Sequence, residues 1–474
     1  MLEEMDPQEV PVSRPEPDNR TRTITLVILT MAAFLNPFTG SSIDLALPLI
    51  AEEFSVSAVM LSWVPSAYLL SMLIFMLPAG RLGDCYGRVS VFRAGVVIYT
   101  VATGLIVFIP SIFALLLLRF IQGIGSAMVF STITAIISDL YPPGERGRAL
   151  GINVTAVYLG LSLGPFVGGV LTQYFGWRSI FAVTLIIAGI VMATFHRIPA
   201  HLNEACRGGL DFPGAALTAG ILLALFLGFS RITSPGALLF LAAAAVLIPL
   251  LVRVERNAPA PLIPLDLLRK NRIFTYSNAA ALINYAATFA VALLMSLYLQ
   301  YIRGLEPAAA GSILFLQPLV QVICSPVAGR MSDRIEPAVL ASCGMMVSAV
   351  SLLGLAFLTP VTPMAVVMAL IMILGCGLAF FSSPNTNAVM SSVERSQYGI
   401  ASAVLSTCRD MGMAFSMGVV MVTFAVFLGQ QQIEPALYPE LMAAIRLIFA
   451  VFFVLSMAGA ALSWRRRATA APPA

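Results

Sequence analysis

Four of the charged side chains inside long apolar stretches of the sequence could carry out transport chemistry. Asp44 and Arg119 fall in the first and fourth stretches, and Arg409 and Asp410 are adjacent in the thirteenth. If these stretches lie in lipid, each charge costs about 2.5–3.5 kcal/mol at mid-bilayer, and such residues typically mark ion or substrate pathways. Burial favours a neutral aspartic acid and a nearby arginine favours the anion, so a change in wetting can load or release a proton. These residues predict proton or charged-solute chemistry, with a static buried ion pair as the alternative.

The apolar stretches must be membrane-spanning helices, because the composition leaves too little charge to solvate a globular surface. Hydrophobic residues make up 59% of the 474 residues, and the mean hydropathy is +0.92. Charged residues make up 11%, against about 25% in a typical soluble domain. Runs of about 20 apolar residues cross hydrocarbon as helices, whose backbone polar groups are satisfied internally. We therefore predict an all-α membrane protein with 14 spans.

The supply of chemically versatile residues excludes several functions. The only lysine, Lys270, is not part of a Gly-Lys-Ser/Thr sequence, so the chain has no P-loop. The only histidines, His196 and His201, share one polar loop, so we expect no haem or His-built metal site inside the membrane. No nucleophile, base and orienting group occur together, which argues against an enzyme. We expect no cofactor, no metal and no nucleic-acid partner, and an ion gradient as the energy source.

The basic residues predict the orientation of the chain. With the N-terminus in the cytoplasm, only Arg178, Arg231 and Arg303 of the 27 Arg and Lys residues face outside. Arg119, Arg409 and Arg446 lie inside spans, and the rest fall on the cytoplasmic side, as the positive-inside rule requires. We predict a multi-pass cell-membrane protein with both termini cytoplasmic.

Two turns rich in glycine and charge follow the second and tenth spans. They read Gly80-Arg-Leu-Gly-Asp84-Cys-Tyr-Gly87-Arg88 and Gly329-Arg330-Met-Ser-Asp333-Arg334. Matching turns at matching places indicate an internal repeat, as in transporters built from paired bundles.

The fifth span carries small residues at a helical spacing. Its glycines recur every four residues, so one face of the helix has almost no side chains, and Pro165 interrupts the backbone donors. The motif consists of Gly160, Gly164, Pro165, Gly168 and Gly169. Such a face predicts close helix packing, a sliding contact between two bundles, or both.

These segments together resemble the major facilitator superfamily. The turn from Gly80 to Arg88 is similar to its cytoplasmic motif, and Arg119 to Gly125 to its intramembrane Arg motif. The stretch from Gly160 to Gly169 resembles the motif of drug:proton antiporters, and 261–268 resembles their 14-span branch. The resemblance covers nearly the whole chain beyond residue 22. It implies two six-helix bundles around a central cavity, two extra helices between them, and alternating access.

The corresponding domain boundaries follow from the predicted spans. We expect a disordered cytoplasmic tail over 1–22, an N-terminal bundle over 23–197, a linker with two extra helices over 198–271, a C-terminal bundle over 272–464, and a cytoplasmic tail over 465–474.

The resemblance also assigns roles to the two turns. Asp84 is expected to meet Arg88 and the start of a neighbouring helix, whose partial positive charge attracts a carboxylate, and so to close the cytoplasmic side. The second turn is its counterpart. The plainer interpretation is a helix cap with a positive-inside anchor.

Asp44 and Arg119 both lie roughly 10 Å below the outer membrane face at 1.5 Å per residue. The resemblance implies that their spans line one cavity, so we expect the two side chains to interact directly or through water. One departure is notable. The 14-span antiporters resembled here usually carry an Asp where this chain has Thr39, and usually Asn where it has Asp44. Asp410 is a second ion site or a neutralising partner of Arg409, with both readings open.

We therefore predict a proton-coupled exporter of amphipathic organic compounds. The alternatives are a transporter of a specific metabolite or organic anion, drawn by Arg119 and Arg409, and a non-transporting membrane sensor with the same fold. The expected partners are a small-molecule substrate, a coupling ion (H+) and the lipid bilayer, with the protein as a monomer.

Overall fold

The computed structural model describes residues 18–199, 212–257, 265–332, 334–394 and 398–466. All regular secondary structure in these ranges is helical, and fourteen segments are long and apolar enough to cross a membrane. The predicted all-α class and span count are therefore confirmed. The α-helices are α1 Asn19–Phe54, α2 Ala58–Tyr86, α3 Arg88–Ile106, α4 Ile112–Leu140, α5 Pro143–Phe175, α6 Arg178–Thr194, α7 Phe212–Ser230, α8 Gly236–Asn257, α9 Leu265–Lys270, α10 Arg272–Thr288, α11 Val291–Leu297, α12 Pro307–Leu314, α13 Leu316–Ser332, α14 Pro337–Ala356, α15 Met364–Ser391, α16 Tyr398–Phe427 and α17 Tyr438–Arg465.

Polar side chains define where several spans begin. Asp18, Ser57, Ser111 and Asn271 each accept a hydrogen bond from a backbone N–H three residues later. Such caps satisfy one of the donors that a helix start leaves free. The Asp18 cap starts α1 at Asn19, so residues 19–22, which we expected in a disordered tail, are helical. Residues 1–17 lie outside the described part of the chain.

Two bundles account for most of the packing. α1–α6 pack on one another, and α10–α17 do the same. We call the end of the molecule where α1 begins and α17 ends the terminal end, and the opposite end, with the turns at Ser55 and Gly176, the far end. At the terminal end the apolar core is divided into two clusters, one around Phe92 in the first bundle and one around Phe381 in the second.

The far end instead has one core that both bundles share. Residues from α1, α2, α4, α11, α16 and α17 form a continuous buried cluster there. We call the interface between the two bundles the seam. Polar contacts also cross the seam at this end: Ala308 N donates to Gln173 Oε1 at 3.1 Å, and Ser57 Oγ donates to Gln430 Oε1 at 3.4 Å. The bundles are therefore joined at the far end and keep separate cores at the terminal end.

The extra helices attach along one side of the seam between the bundles. α7 packs against both α2 and α16, with the rings of Trp63 and Phe226 6.2 Å apart. A buried cluster of residues from α2, α7 and α16 fills this junction. α8 packs on α7 and exposes Leu238, Leu239 and Val246, as expected for a helix that faces lipid. The pair therefore covers the seam on the α2–α16 side.

The small-residue motif of α5 has two faces with different partners. A Cβ at Gly160, Gly164 or Gly168 would meet α1, inside the same bundle; a Cβ at Gly164, for example, would lie 2.9 Å from Phe38 O. A Cβ at Gly169 would clash with Pro307 O on α12, in the other bundle, and a Cβ at Gly311 of α12 would clash with Pro165 O. The glycines at the four-residue spacing thus pack closely within their own bundle, and Pro165 and Gly169 of the same motif contact the other bundle. Gly160, Gly164 and Gly168 share one face of α5, which packs against α1. Pro165 and Gly169 lie on the adjacent face, which packs against α12.

The end of α17 is fixed by a buried basic residue, which the sequence predicts to lie on the cytoplasmic side. Arg466 is 2% exposed, and Nη1 donates to Ser277 Oγ and Asn385 Oδ1, both at 2.8 Å. Nη2 donates to Pro337 O at 3.0 Å. Burial lowers the pKa of Arg466 to about 10, and the nearby Glu336 opposes that shift. Arg466 therefore joins the ends of α10, α14, α15 and α17.

The α1–α5 contact should be sensitive to a single methyl group. We expect Gly164→Ala to destabilise the protein by about 1–3 kcal/mol, the usual cost of overpacking, because the added Cβ meets Phe38 O and Ser41. Gly189→Ala in α6 is the matched control, since nothing lies within 4 Å of its Cβ. Thermal unfolding of the purified variants in detergent measures both. Equal midpoints for the two variants would contradict the packing assigned to Gly164.

Candidate functional site

Arg119 is the most deeply buried charge in the first bundle, at 1% exposure. Its guanidinium donates to Gln122 Oε1 at 2.8 Å and to Val64 O at 3.3 Å. Cζ lies 4.3 Å from the centroid of the Tyr68 ring, a geometry in which the ring face stabilises a cation. Gln122 is itself fixed, because Nε2 donates to Thr103 Oγ1 at 2.8 Å. α2, α3 and α4 thus hold the guanidinium in one orientation.

One nitrogen of the Arg119 guanidinium is open to a further hydrogen bond. Nη2 is buried and has no hydrogen-bond acceptor among the described residues. Asp44 of α1 lies close enough to interact with Arg119 electrostatically, but no direct ion pair joins them in the described part of the chain. Since a buried, unpaired donor is costly, this arrangement favours an exchangeable partner, such as water or a substrate group, between the two.

The second bundle carries a similar arrangement on α16. Arg409 Nη2 donates to Thr386 Oγ1 at 2.7 Å, and Cζ lies 5.8 Å from the centroid of the Tyr285 ring. Asp410 Oδ2 is buried and accepts no hydrogen bond from the described residues. Arg409 and Asp410 interact electrostatically without forming a direct ion pair in the described ranges. Each bundle therefore contributes one arginine with a stacked tyrosine and one nearby aspartate.

Tyrosines bring the two charged groups to one seam. Tyr68, stacked on Arg119, is also within electrostatic range of Asp410 in the other bundle. Tyr158 of α5 lies 3.5 Å from Ser382 of α15, hydroxyl to hydroxyl, and near Tyr285. Four of the predicted site residues thus gather about the same interface between the bundles: Asp44, Arg119, Arg409 and Asp410.

Thr39 packs between helices of the first bundle. It is 1% exposed, and Oγ1 contacts Tyr99 Oη at 3.1 Å and Thr184 Oγ1 at 3.2 Å. It also donates to Leu35 O at 2.8 Å in its own helix. Position 39 therefore belongs to a neutral hydroxyl cluster between α1, α3 and α6. In α1, Asp44 is the carboxylate that approaches Arg119.

The first charged turn is built inside one bundle. Gly87 ends α2 and precedes α3 with φ of 96°, a conformation that favours glycine and lets the two helices follow each other directly. Arg88 then donates to Asp84 Oδ1 at 3.1 and 3.2 Å, and Nη1 to Asp139 Oδ2 of α4 at 2.7 Å. A Cβ at Gly80 would lie 3.7 Å from Ser131 Cβ, an ordinary contact. Asp84 and Arg88 lie together as expected, and Asp139 is a partner that the motif alone does not reveal.

The second charged turn is described in part. Gly329 and Arg330 lie near the end of α13, where a Cβ at Gly329 would be 3.2 Å from Ser383 Oγ of α15. Arg334 N donates to Met331 O at 3.0 Å in the turn after the helix. The predicted gate residue Asp333 lies outside the described residues.

A polar contact between the bundles was missed from the sequence. Ser296 Oγ donates to the backbone carbonyl of Asp44 at 2.6 Å, and Gln300 Nε2 donates to Leu45 O at 3.2 Å and to Ser296 Oγ at 2.8 Å. The available signal was Pro48, which follows Asp44 by four residues and cannot supply the N–H that this carbonyl would normally accept. Sequence alone does not say which helix meets the freed carbonyl.

Comparison with known proteins agrees with this architecture. Residues 29–417 and, in a second match, 277–474 match the profile of the Major Facilitator Superfamily. The riboflavin transporter RibZ of Clostridioides difficile is 29% identical over 415 residues, which cover 87% of this chain and 90% of RibZ. The multidrug resistance protein Stp of Mycobacterium tuberculosis is 31% identical over 428 residues, which cover 88% of this chain and 79% of Stp.

Solved structures agree on the fold. A bacterial homologue of the human lysosomal transporter Spinster, in an inward-facing and unoccupied conformation, superposes with a TM-score of 0.70. The match covers 96% of this chain and 98% of that chain at 17% identity. The fold, the profile match over most of the chain and the relatives together show that this chain is a membrane transporter of the Major Facilitator Superfamily and not an enzyme.

Proposed function

We propose that this protein exports amphipathic organic compounds in exchange for protons, by alternating access of a site at the seam between its two bundles. The observation that carries the proposal is that Arg119 lies near Asp44, and Arg409 near Asp410, beside tyrosines from both bundles. A buried carboxylate near an arginine without a direct ion pair can change its proton occupancy when its surroundings change. The similarity to Stp, which is named a multidrug resistance protein, supports the substrate class.

The orientation is part of the same proposal. The terminal end carries Arg81, Arg88 and Arg93, whereas the far end carries Arg178 and Arg303. With the terminal end cytoplasmic, the shared core at the far end closes the outer side, and the divided core leaves the seam accessible from the cytoplasm. Substrate then enters from the cytoplasm and leaves outward after the far end opens.

In this cycle Asp44 carries the proton, and the charge on Asp44 determines whether Asp44 attracts Arg119. With Asp44 ionised, the two side chains attract each other across the site. A proton on Asp44 removes that attraction and also the negative charge that a donor group of the substrate would contact. Asp44 therefore holds either the proton or the substrate, and this competition is the physical basis of exchange.

A second candidate is a transporter selective for one metabolite. The similarity to RibZ, at 29% identity over most of both chains, favours this alternative. A panel of solutes on purified protein in liposomes under an imposed pH gradient separates the two. Gradient-driven flux of several unrelated amphipathic compounds supports export of many compounds, flux of a flavin alone supports the metabolite, and no flux of any solute contradicts both.

Replacing the proposed proton carrier should remove proton coupling. We expect Asp44→Asn to abolish gradient-driven accumulation, because the amide is isosteric with the protonated acid and cannot release a proton. Proton flux and solute uptake in liposomes measure the effect. Glu53→Gln, which changes a half-exposed carboxylate at the far end, is the control. Undiminished coupling in Asp44→Asn would remove Asp44 from the mechanism.

Replacing Asp84 tests the charged turn. We expect Asp84→Ala to lose most of the transport rate while the free energy of unfolding changes by no more than about 1 kcal/mol, the worth of an exposed ion pair. Glu53→Ala is the matched control, because the Glu53–Arg178 pair at the far end has the same side-chain exposures, 39% and 33%. Uptake and thermal unfolding are measured for both. If Asp84→Ala transports as the wild type does, the turn is only a structural anchor.

A further inference from the structure

The carbonyl group of Asp44 has an unusual partner. In an α-helix this oxygen accepts the N–H of the residue four positions later, which here is Pro48 and has no N–H. The free oxygen lies in the bilayer region, where an unmet polar group is costly. Ser296, 0% exposed and in the opposite bundle, donates to it at 2.6 Å.

Other serines in the spans donate within their own bundle. Ser66, Ser312 and Ser342 each donate to the carbonyl four residues earlier in their own helix, and Ser42, Ser351 and Ser456 donate to a neighbouring helix of the same bundle. Ser296 instead points across the seam. Its bond is the shortest of the hydrogen bonds that join the two bundles in the described part of the chain.

Gln300 reinforces the same contact from one turn further along. Its amide donates both to Leu45 O and to Ser296 Oγ, so two consecutive carbonyls of α1 are held by one pair of side chains. The turn with Gln300 is π-helical over Tyr298–Ile302, and such rare, wider turns are frequently found at functional sites. We call Pro48, Ser296 and Gln300, with the carbonyls of Asp44 and Leu45, the Pro48 clasp.

We propose that Ser296 is a positioning residue for Asp44: through the carbonyl that Pro48 leaves free, it fixes the Asp44 turn of α1 against the opposite bundle while the far end is closed. The clasp must break before the bundles separate there, so the position of the Asp44 turn is tied to closure of the far end. This inference rests on the proposed alternating access. It assigns a part in that movement to Pro48, Ser296 and Gln300, which lie outside the charged motifs.

The test measures closure of the far end directly. In a background without native cysteines, Ser57→Cys and Gln430→Cys place one thiol on each side of the seam, where the native side chains are 3.4 Å apart. The rate of cross-linking in lipid nanodiscs reports the closed population. We expect Ser296→Ala to lower the ratio of closed to open far ends, obtained from this rate, roughly three- to tenfold, the worth of one hydrogen bond, and Ser296→Thr, which keeps the donor, to restore it. Ser312→Ala, which removes a hydroxyl bonded within its own helix, is the control.

Pro48→Ala makes the test specific. The alanine N–H can satisfy the Asp44 carbonyl inside α1, so removal of the Ser296 donor no longer leaves a buried acceptor unpaired. We expect Ser296→Ala to have less than about a twofold effect in the Pro48→Ala background, a non-additivity that marks residues acting on one group. Gln300→Leu provides a second variant if Ser296→Ala does not fold, with a smaller fall in rate expected.

The outcomes separate this inference from the proposed function. If Ser296→Ala cross-links like Ser312→Ala, or if its effect is equally large in the wild-type and Pro48→Ala backgrounds, the clasp is refuted. Should the wild type instead show no change in cross-linking with substrate or a pH gradient, alternating access itself is refuted.

Discussion

In hydrocarbon every backbone and side-chain polar group has to find its partner inside the protein. This constraint explains the helical architecture and also the more unusual contacts. It places Arg119 on Gln122, Val64 and Tyr68, and it directs Ser296 of one bundle to the carbonyl that Pro48 frees in the other. Arg119 Nη2 and Asp410 Oδ2 have no hydrogen-bond partner among the described residues, and both lie at the seam, where water, a proton or a substrate can supply the contact.

The same constraint separates rigid from movable contacts. Inside the first bundle, Gly160, Gly164 and Gly168 bring α5 against α1 with almost no space to spare, so these helices move together. Between the bundles, Gly169 and Gly311 give a close contact of backbone on backbone, and the clasp adds hydrogen bonds at one position. Few polar contacts join the bundles beyond the far end in the described residues, Tyr158 with Ser382 being one. This packing supports the proposal that the two bundles rock about their seam without either bundle unpacking.

Much of the fold could be predicted from the sequence because lipid leaves few alternatives. Apolar runs of spanning length gave the helices, and the charged turns at Gly80–Arg88 and Gly329–Arg334 indicated the repeat. Contacts between helices could not be predicted in the same way. The glycine stripe of α5 shows that some helix packs closely, but not that α1 and α12 occupy adjacent faces. The charges Asp44 and Arg119 were identifiable by their cost in a membrane, whereas Ser296 and Gln300 are ordinary polar residues until the fold places them opposite Pro48.

The central claim is that the two bundles move as units and that the site faces one side of the membrane at a time. Pulsed electron paramagnetic resonance measures the distance between the bundles at each end, from spin labels on introduced cysteines. The far-end pair replaces Phe108 and Val361, and the terminal-end pair replaces Tyr86 and Tyr398, all of which are exposed. On reversal of the pH gradient or addition of substrate, we expect the far-end distance to lengthen while the terminal-end distance shortens. Both distances changing in the same sense, or neither changing in a protein that transports, would contradict the claim.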